Sequence, residues 1–276
     1  MPRPRRRAHR SSPVAVLLAL SLLGPTAGLI ASPAARPGAV RQTLSLDEVL
    51  TRHRDARGGD ALRAVRTLRS TGTIASRADD VPDPPDARAL SAPFVQEIQV
   101  PARLRLEIRT ADGKRHIQAS DGGRFWALWG IDDGTLTELP PAQAARQMRL
   151  AAIEGPLLRA LDAGHPLEWL GTVQLRPDAA TNVRSVYRVR VRYPNGDLTD
   201  IDIDPTSFQI VATHDTWHIE GSIVRVVGLY DDHRAIDGGI TLPHQIEQVT
   251  SQGVRHIRID HIAVDVPIDP ARFQAP

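Results

Sequence analysis

Cysteine is absent from all 276 residues, so no disulfide framework supports the fold and an apolar core must carry it alone. The same absence removes the acceptor for N-terminal lipidation after signal cleavage. Lysine is nearly absent too. Lys114 is the single one, so almost all positive charge is arginine, which reads as a composition bias. Aromatic residues make up only 4% and do not interleave with a basic stripe, which argues against a nucleic-acid surface. No apolar run approaches the roughly 20 residues that a membrane-spanning helix needs. Gly-x-Ser-x-Gly, His-Glu-x-x-His, a phosphate loop and Gly-x-Gly-x-x-Gly are all missing, so the common hydrolase, zinc-protease and nucleotide-binding motifs have no foothold.

What the chain does have begins at its start. Arg3, Arg5, Arg6, Arg7 and Arg10 precede a short apolar run over 14–23, followed by small residues up to Ala35. A basic segment, a short apolar segment and a small-residue zone read as a secretory signal peptide over 1–35. Thr26-Ala27-Gly28, Leu29-Ile30-Ala31 and Pro33-Ala34-Ala35 are all plausible cleavage ends. The whole chain has 34 basic against 32 acidic residues; five of the arginines lie in the leader, leaving 29 against 32, a net charge near −3. The basicity is thus a targeting property and carries no anionic partner. Residues 36–44 read as a flexible lead-in and 45–276 as one domain, long enough to bury a sizeable core.

Helices are few. Ser45-Leu46-Asp47-Glu48 is a capping box, and Leu46, Val49, Leu50 and His53 follow at helical spacing. Gly58-Gly59 stops that helix, and Asp60 is positioned to cap a short second one through Val65. Residues 141–154 form a helical island with Pro141 in the first turn. Gly155-Pro156 breaks it, and a short helix carrying Leu157, Leu158 and Leu161 ends at Gly164. Residues 79–93 are too rich in proline and aspartate for a strand, and Pro93 is placed in that loop.

Most of the remainder alternates with period two. Leu104, Leu106 and Ile108 alternate with Arg103, Arg105, Glu107 and Arg109. Tyr193-Pro194-Asn195-Gly196 predicts a bulged hairpin turn that pairs Tyr193 with Asp197. That register sets Val189 opposite Ile201 and Tyr187 opposite Ile203 on one face, and Arg190 opposite Asp200 and Arg188 opposite Asp202 on the other. The Arg/Asp face is expected to be solvated. The fold class is mainly β with a helical lid (α+β): an unclosed, strongly curved antiparallel β-barrel of about 11–12 strands, because short connections imply antiparallel pairing and so large a sheet must curl or close. The N-terminal helix and the mid-chain helical pair are expected to cover its concave face.

Candidate chemistry is sparse. His214, Asp215, His218 and Glu220 form the best metal-like cluster, with 214, 218 and 220 on one strand face. The polar outer face of a sheet explains them better. Asp231-Asp232-His233 reads as turn chemistry between strands. His256 and Asp260 should face solvent, and the apolar parity shifts at His261, which predicts a bulge. Trp126, Trp129, Trp169 and Trp217 are ordinary core residues or the lining of an apolar cavity.

Several segments together resemble a known group. Ala56-Arg57-Gly58-Gly59-Asp60-Ala61-Leu62, Leu68-Arg69-Ser70-Thr71-Gly72-Thr73, Pro101-Ala102-Arg103-Leu104-Arg105-Leu106-Glu107 and Asp121-Gly122-Gly123-Arg124-Phe125-Trp126 come first. Ile203-Asp204-Pro205, Asp237-Gly238-Gly239-Ile240-Thr241-Leu242-Pro243-His244 and Val266-Pro267-Ile268-Asp269 with Phe273 follow in order. This pattern is similar to the periplasmic outer-membrane lipoprotein carrier superfamily, especially its longer lipoprotein-sorting-protein-like members. The resemblance implies an apolar cavity under a helical lid that holds acyl chains, with lipid or acylated lipoprotein as cargo and membrane transport components as partners. It implies no enzyme activity, no cofactor and no metal, and a monomer free in the periplasm. Leu106, Trp129, Leu157, Leu158, Leu161, Tyr187, Val189, Ile201 and Ile203 are the expected cavity or lid lining. The superfamily's lid-closing arginine and its partner-docking residues match no position here. An envelope-stress sensor or interaction module on the same fold, and more remotely a metal-dependent hydrolase, are the alternatives.

Overall fold

Ser45 caps the first helix as the capping box predicts: its hydroxyl accepts the Glu48 N–H, and the Glu48 carboxylate accepts the Ser45 N–H at 2.8 Å. The structure is a computed structural model that describes residues 44–77, 91–129, 134–150, 152–175, 183–219 and 221–275. The leader over 1–35, most of the lead-in, most of the proline-rich loop and Glu220 lie outside the described residues. Helix α1 spans Leu46–Ala56, and α2 spans Gly59–Ala64. Gly58, at φ 113°, holds the capping position of α2 in place of Asp60, which lies inside the helix. The left-handed turn that a glycine pair permits decides the boundary.

Thirteen described strands follow in one antiparallel sheet. They are β1 (Thr67–Arg77), β2 (Ser91–Gln99), β3 (Arg103–Arg109), β4 (Arg115–Asp121), β5 (Phe125–Trp129) and β6 (Thr135–Glu138), then β7 (Leu167–Leu175), β8 (Arg184–Arg192), β9 (Leu198–Ile203), β10 (Ile210–Ile219), β11 (Ser222–Ile236), β12 (Ile240–Thr250) and β13 (Gly253–Val264). Their spatial order is β6-β5-β4-β3-β2-β1-β13-β12-β11-β10-β9-β8-β7. The chain thus builds two meanders, joined where β1 pairs with β13. The strand beyond the expected count is β6, four exposed residues that lack an apolar pattern.

Edge strands β6 and β7 are consecutive in the chain. The segment between them carries α3 (Pro141–Leu150) and α4 (Gly155–Asp162). Because it must run from one edge of the sheet to the other, topology alone places these helices across the open side. One apolar cluster joins Phe125 of β5, Leu104 of β3, Leu68 of β1 and Leu242 of β12 with Leu158 of α4 and Leu62 of α2. A second joins Val189 and Val191 of β8, Ile201 and Ile203 of β9 and Ile210 of β10 with Val49 and Leu50 of α1 and Leu157 of α4. The sheet therefore curls around its helices with its apolar face inward.

The hairpin register is the predicted one throughout. Tyr193 donates to the Asp197 carbonyl at 3.0 Å, Gly196 sits at φ 84°, and Val189↔Ile201, Tyr187↔Ile203, Arg190↔Asp200 and Arg188↔Asp202 are paired. The parity shift near His261 is also a bulge: Thr71 pairs with His261 and Gly72 with Ile259, leaving Asp260 extra.

Three expectations on the outer parts are corrected. Pro93 lies in β2, opposite Thr73, at a point where β3 has not yet begun to pair, so its missing N–H breaks no ladder bond. Asp231-Asp232-His233 lies inside β11, which continues to Ile236; Asp232 has a left-handed backbone at φ 53°, and the register with β12 is the same on both sides of it. The Arg/Asp face is not uniformly solvated. Asp202 is fully buried, held by Arg188 at 2.6 and 2.7 Å and by His214 Nε2 at 3.0 Å. On the same outer side of β2–β5, the C-terminal 3₁₀ turn Pro270–Phe273 packs down. There Arg272 pairs with buried Glu97 at 2.6 Å, and the Trp126 indole N–H donates to the Phe273 carbonyl at 3.2 Å.

Candidate functional site

Beneath the link between α3 and α4 lies a cavity of about 140 Å³, between the lid and the middle of the sheet. Leu68, Ile98, Ile246, Ile259 and Ile262 form its sheet wall, and Ile153 and Pro156 its lid wall. A second, outer groove of about 400 Å³ runs between the helices and the Tyr193–Asn195 turn. Inside the cavity the polar groups converge at one end: Arg57, Thr213, Asp215, Tyr230 and His233.

Arg57 is the central one. The turn after α1 aims it inward, it is 5% exposed, and its Nη2 donates to the Ile153 carbonyl at 3.0 Å. A position 96 residues away in the lid is thereby tied to the N-terminal helices. The sequence reading assigned no lid-closing arginine; the structure places Arg57 in contact with the lid. Its only local signal was position, one residue ahead of the glycine pair. Gly155, at φ 79°, passes directly over it: a Cβ there would lie 3.0 Å from Arg57 Nη1. Burial pushes the Arg57 guanidinium down to about 10, and Glu154 and Tyr230 pull weakly the other way.

Burial shifts the neighbouring titratable groups toward their neutral forms. Burial pushes the Tyr230 hydroxyl up to about 12, against a hydrogen bond with Thr213. Burial, then the Arg57 charge, pushes His233 down. His53 is fully buried and shares a hydrogen bond with the Phe208 carbonyl at 2.7 Å; burial and Arg57 push it down to about 4. Burial raises the Asp215 carboxyl, and the Thr199 hydroxyl offsets part of that rise.

The lid has a second tie. Asp197, fully buried at the hairpin turn, accepts Arg146 Nε at 2.8 Å and Arg149 Nη2 at 2.7 Å from α3, and the His218 N–H at 3.0 Å. Arg149 also lies 3.8 Å over the Tyr193 ring. Burial alone would raise Asp197; these donors outweigh it and hold the carboxyl well below the usual range.

The expected lining residues distribute between the two apolar clusters. Leu157, Val189, Ile201 and Ile203 are buried together under α1 and α4, with Leu161 and Tyr187 packed against them. Leu158 belongs to the other cluster. Leu106 is half-buried on the inner face, opposite Gln96 and Gln118. Trp129 ends β5, and its side chain lies outside the described residues. The apolar wall of the cavity comes largely from β1, β2, β12 and β13, a set the sequence did not single out, and its polar side from β10 and β11. Of the other tryptophans, Trp217 lines the cavity beside Arg146, Trp169 stacks near Tyr187, and Trp126 is buried on the outer face.

The His214 cluster does not assemble. His214 points outward to Asp202 and Arg188, Asp215 points inward to Thr199, and His218 is exposed. Among the described residues no three His, Asp or Glu side chains meet as a metal site. No helix among them is long and apolar enough to cross a membrane.

No protein-family model matches the chain, and no curated protein matches it. Solved structures do. A LolA superfamily protein from Nitrosomonas europaea matches at 12% identity and a TM-score of 0.53, over 84% of this chain and 98% of that one. A DUF1329 family protein from Desulfovibrio piger matches at 11% identity and 0.55, over 82% and 97%. A protein described as an outer membrane lipoprotein-sorting domain, from Vibrio parahaemolyticus, matches at 7% identity and 0.52, over 82% and 94%. At such identities the likeness concerns the fold alone: this chain, an unclosed antiparallel sheet with helices across its open side, is similar in fold to these three proteins.

Proposed function

We propose that this protein is an exported, non-enzymatic carrier that shelters the acyl chains of lipids or lipoproteins beneath α3 and α4. The observation that carries this reading is the apolar cavity under a lid held by discrete polar ties. A carrier must hide acyl chains from water, and each buried methylene contributes about 0.8 kcal/mol. On this reading the lid lies closed over the cavity. A cavity of about 140 Å³ compares with the roughly 150 Å³ that admits a benzene ring, so a long chain enters only when the lid moves. Lifting α4 uncovers Leu157, Leu158 and Leu161 and the bed beneath them, Tyr187, Val189, Ile201 and Ile203. Leu106 extends the same bed on the other half of the sheet. Export rests on the leader at 1–35, and freedom from the membrane on the missing cysteine. The cargo donor and acceptor are then transport components of the two envelope membranes, and the carrier works as a monomer.

The test is to purify the protein from its native envelope and extract it for mass spectrometry, then titrate it with a fluorescent acyl probe. Co-purified lipid or acylated peptide and saturable probe binding are expected. Neither lipid nor binding would end the carrier reading.

A further inference from the structure

Arg57 is a buried cation without an anion. The other buried guanidinium among the described residues, that of Arg146, has Asp197 at 2.8 Å, and the half-buried Arg188 has Asp202 at 2.6 Å. Among the described residues no carboxylate comes within ion-pair distance of Arg57. Its nearest acid in electrostatic reach is Glu154, which is bound to Arg159 at 3.2 Å. Arg57 Nη2 has only a neutral carbonyl, and its buried Nε has no hydrogen-bond partner. An unpaired buried charge and an unsatisfied buried donor are both costly. Both lie on the wall of the cavity. The titratable groups around it, Tyr230, His233 and His53, are shifted toward their neutral forms, so none of these three compensates the charge.

Resting on the carrier reading above, we propose that Arg57 is the receptor for the anionic head of an acyl amphiphile, a carboxylate or phosphate monoester whose chain lies along the apolar sheet wall. The guanidinium presents Nε and an Nη in the fork that two anionic oxygens accept. The head takes Nε, now unused, and the Nη2 donor that holds the Ile153 carbonyl. A charged acceptor outcompetes a neutral carbonyl for the same donor. Seating the head therefore releases the lid link, and the opening lid makes room for the chain. Neutral esters fill the apolar wall but do not compete for Arg57.

The test compares palmitate with methyl palmitate, and lysophosphatidate with monopalmitoylglycerol, by displacement of a fluorescent acyl probe at low concentration. Wild-type protein is expected to favour the anionic member of at least one pair by about tenfold or more. The pair that shows the preference identifies the head as carboxylate or phosphate. Arg57→Met is expected to abolish that preference, bringing the two members of the pair to within about twofold of each other. Because this variant changes a buried position, ¹⁵N-arginine spectra of wild-type protein give a second readout: the Arg57 Nε–H resonance shifts with the anionic member and not with its neutral partner. Equal affinity within both pairs, or an unmoved Arg57 resonance, overturns the head-group assignment and leaves the carrier reading standing. No binding of any of the four overturns both.

Discussion

Gly155 is held at φ 79° with Arg57 Nη1 only 3.0 Å from where its Cβ would stand. Glycine is required there twice, for the left-handed backbone and for the space. Gly155→Ala is expected to lower stability by about 1–3 kcal/mol. It should also displace the guanidinium from the Ile153 carbonyl. Urea midpoints give the first effect, and limited proteolysis over 150–156 the second. An unchanged midpoint with unchanged cleavage would show that the lid link does not depend on this contact. At the same scale, Arg57 ties the lid to the N-terminal helices and leaves its buried Nε without a partner.

Helix α3 contributes few buried residues of its own and is held by charge. Its Arg146 and Arg149 side chains are 6% and 17% exposed where they meet Asp197. Removing one partner of a buried pair strands the other charge, so Asp197→Asn is expected to cost about 3–5 kcal/mol at pH 7. The pH dependence follows from the lowered Asp197 carboxyl. A depressed carboxylate contributes its full stability above its ordinary value and loses it as pH falls through the folded-state value. Wild-type protein should therefore weaken below about pH 4, and the Asn variant should lack that part of the fall. Urea midpoints for both, measured from pH 7 down to pH 3, should converge. Curves that stay parallel would mean that Asp197 does not hold α3.

The whole sheet depends on one seam. Strand β1 pairs with β13, the last strand, and this ladder alone joins the two meanders. At its bulge Gly72 runs so close to its neighbour that an added Cβ would fall on the Arg258 carbonyl. Gly72→Ala is expected to lower stability by about 3 kcal/mol, since backbone rather than a flexible side chain would have to move. A cooperative transition at an unchanged urea midpoint would contradict this. The seam also sets the cavity: Leu68 and Ser70 of β1 face Ile259 and Ile262 of β13 across it. The shape of the cavity and global stability thus depend on the same ladder.

Local chemistry determined much of this architecture. The Ser45–Glu48 box, the Tyr193–Asp197 turn, the alternation of Leu104, Leu106 and Ile108 and the parity shift at His261 each depend on neighbours within a few residues. All four were legible in the chain, because capping, turn geometry and the two-residue strand period act at short range. Where local rules conflicted with the sheet, the sheet prevailed. Pro93 joined β2 because the β2–β3 pairing begins one residue later, at Phe94, and Asp231-Asp232-His233 stayed in β11 because β12 pairs in one register on both sides of Asp232. The site itself was decided by tertiary structure. Arg57 meets Ile153 across 96 residues, Arg146 meets Asp197 across 51, and Arg272 meets Glu97 across 175. No periodicity encodes such meetings. They exist only once the sheet has curled, water has been excluded, and a buried charge has either found its partner or, at Arg57, has been left without one.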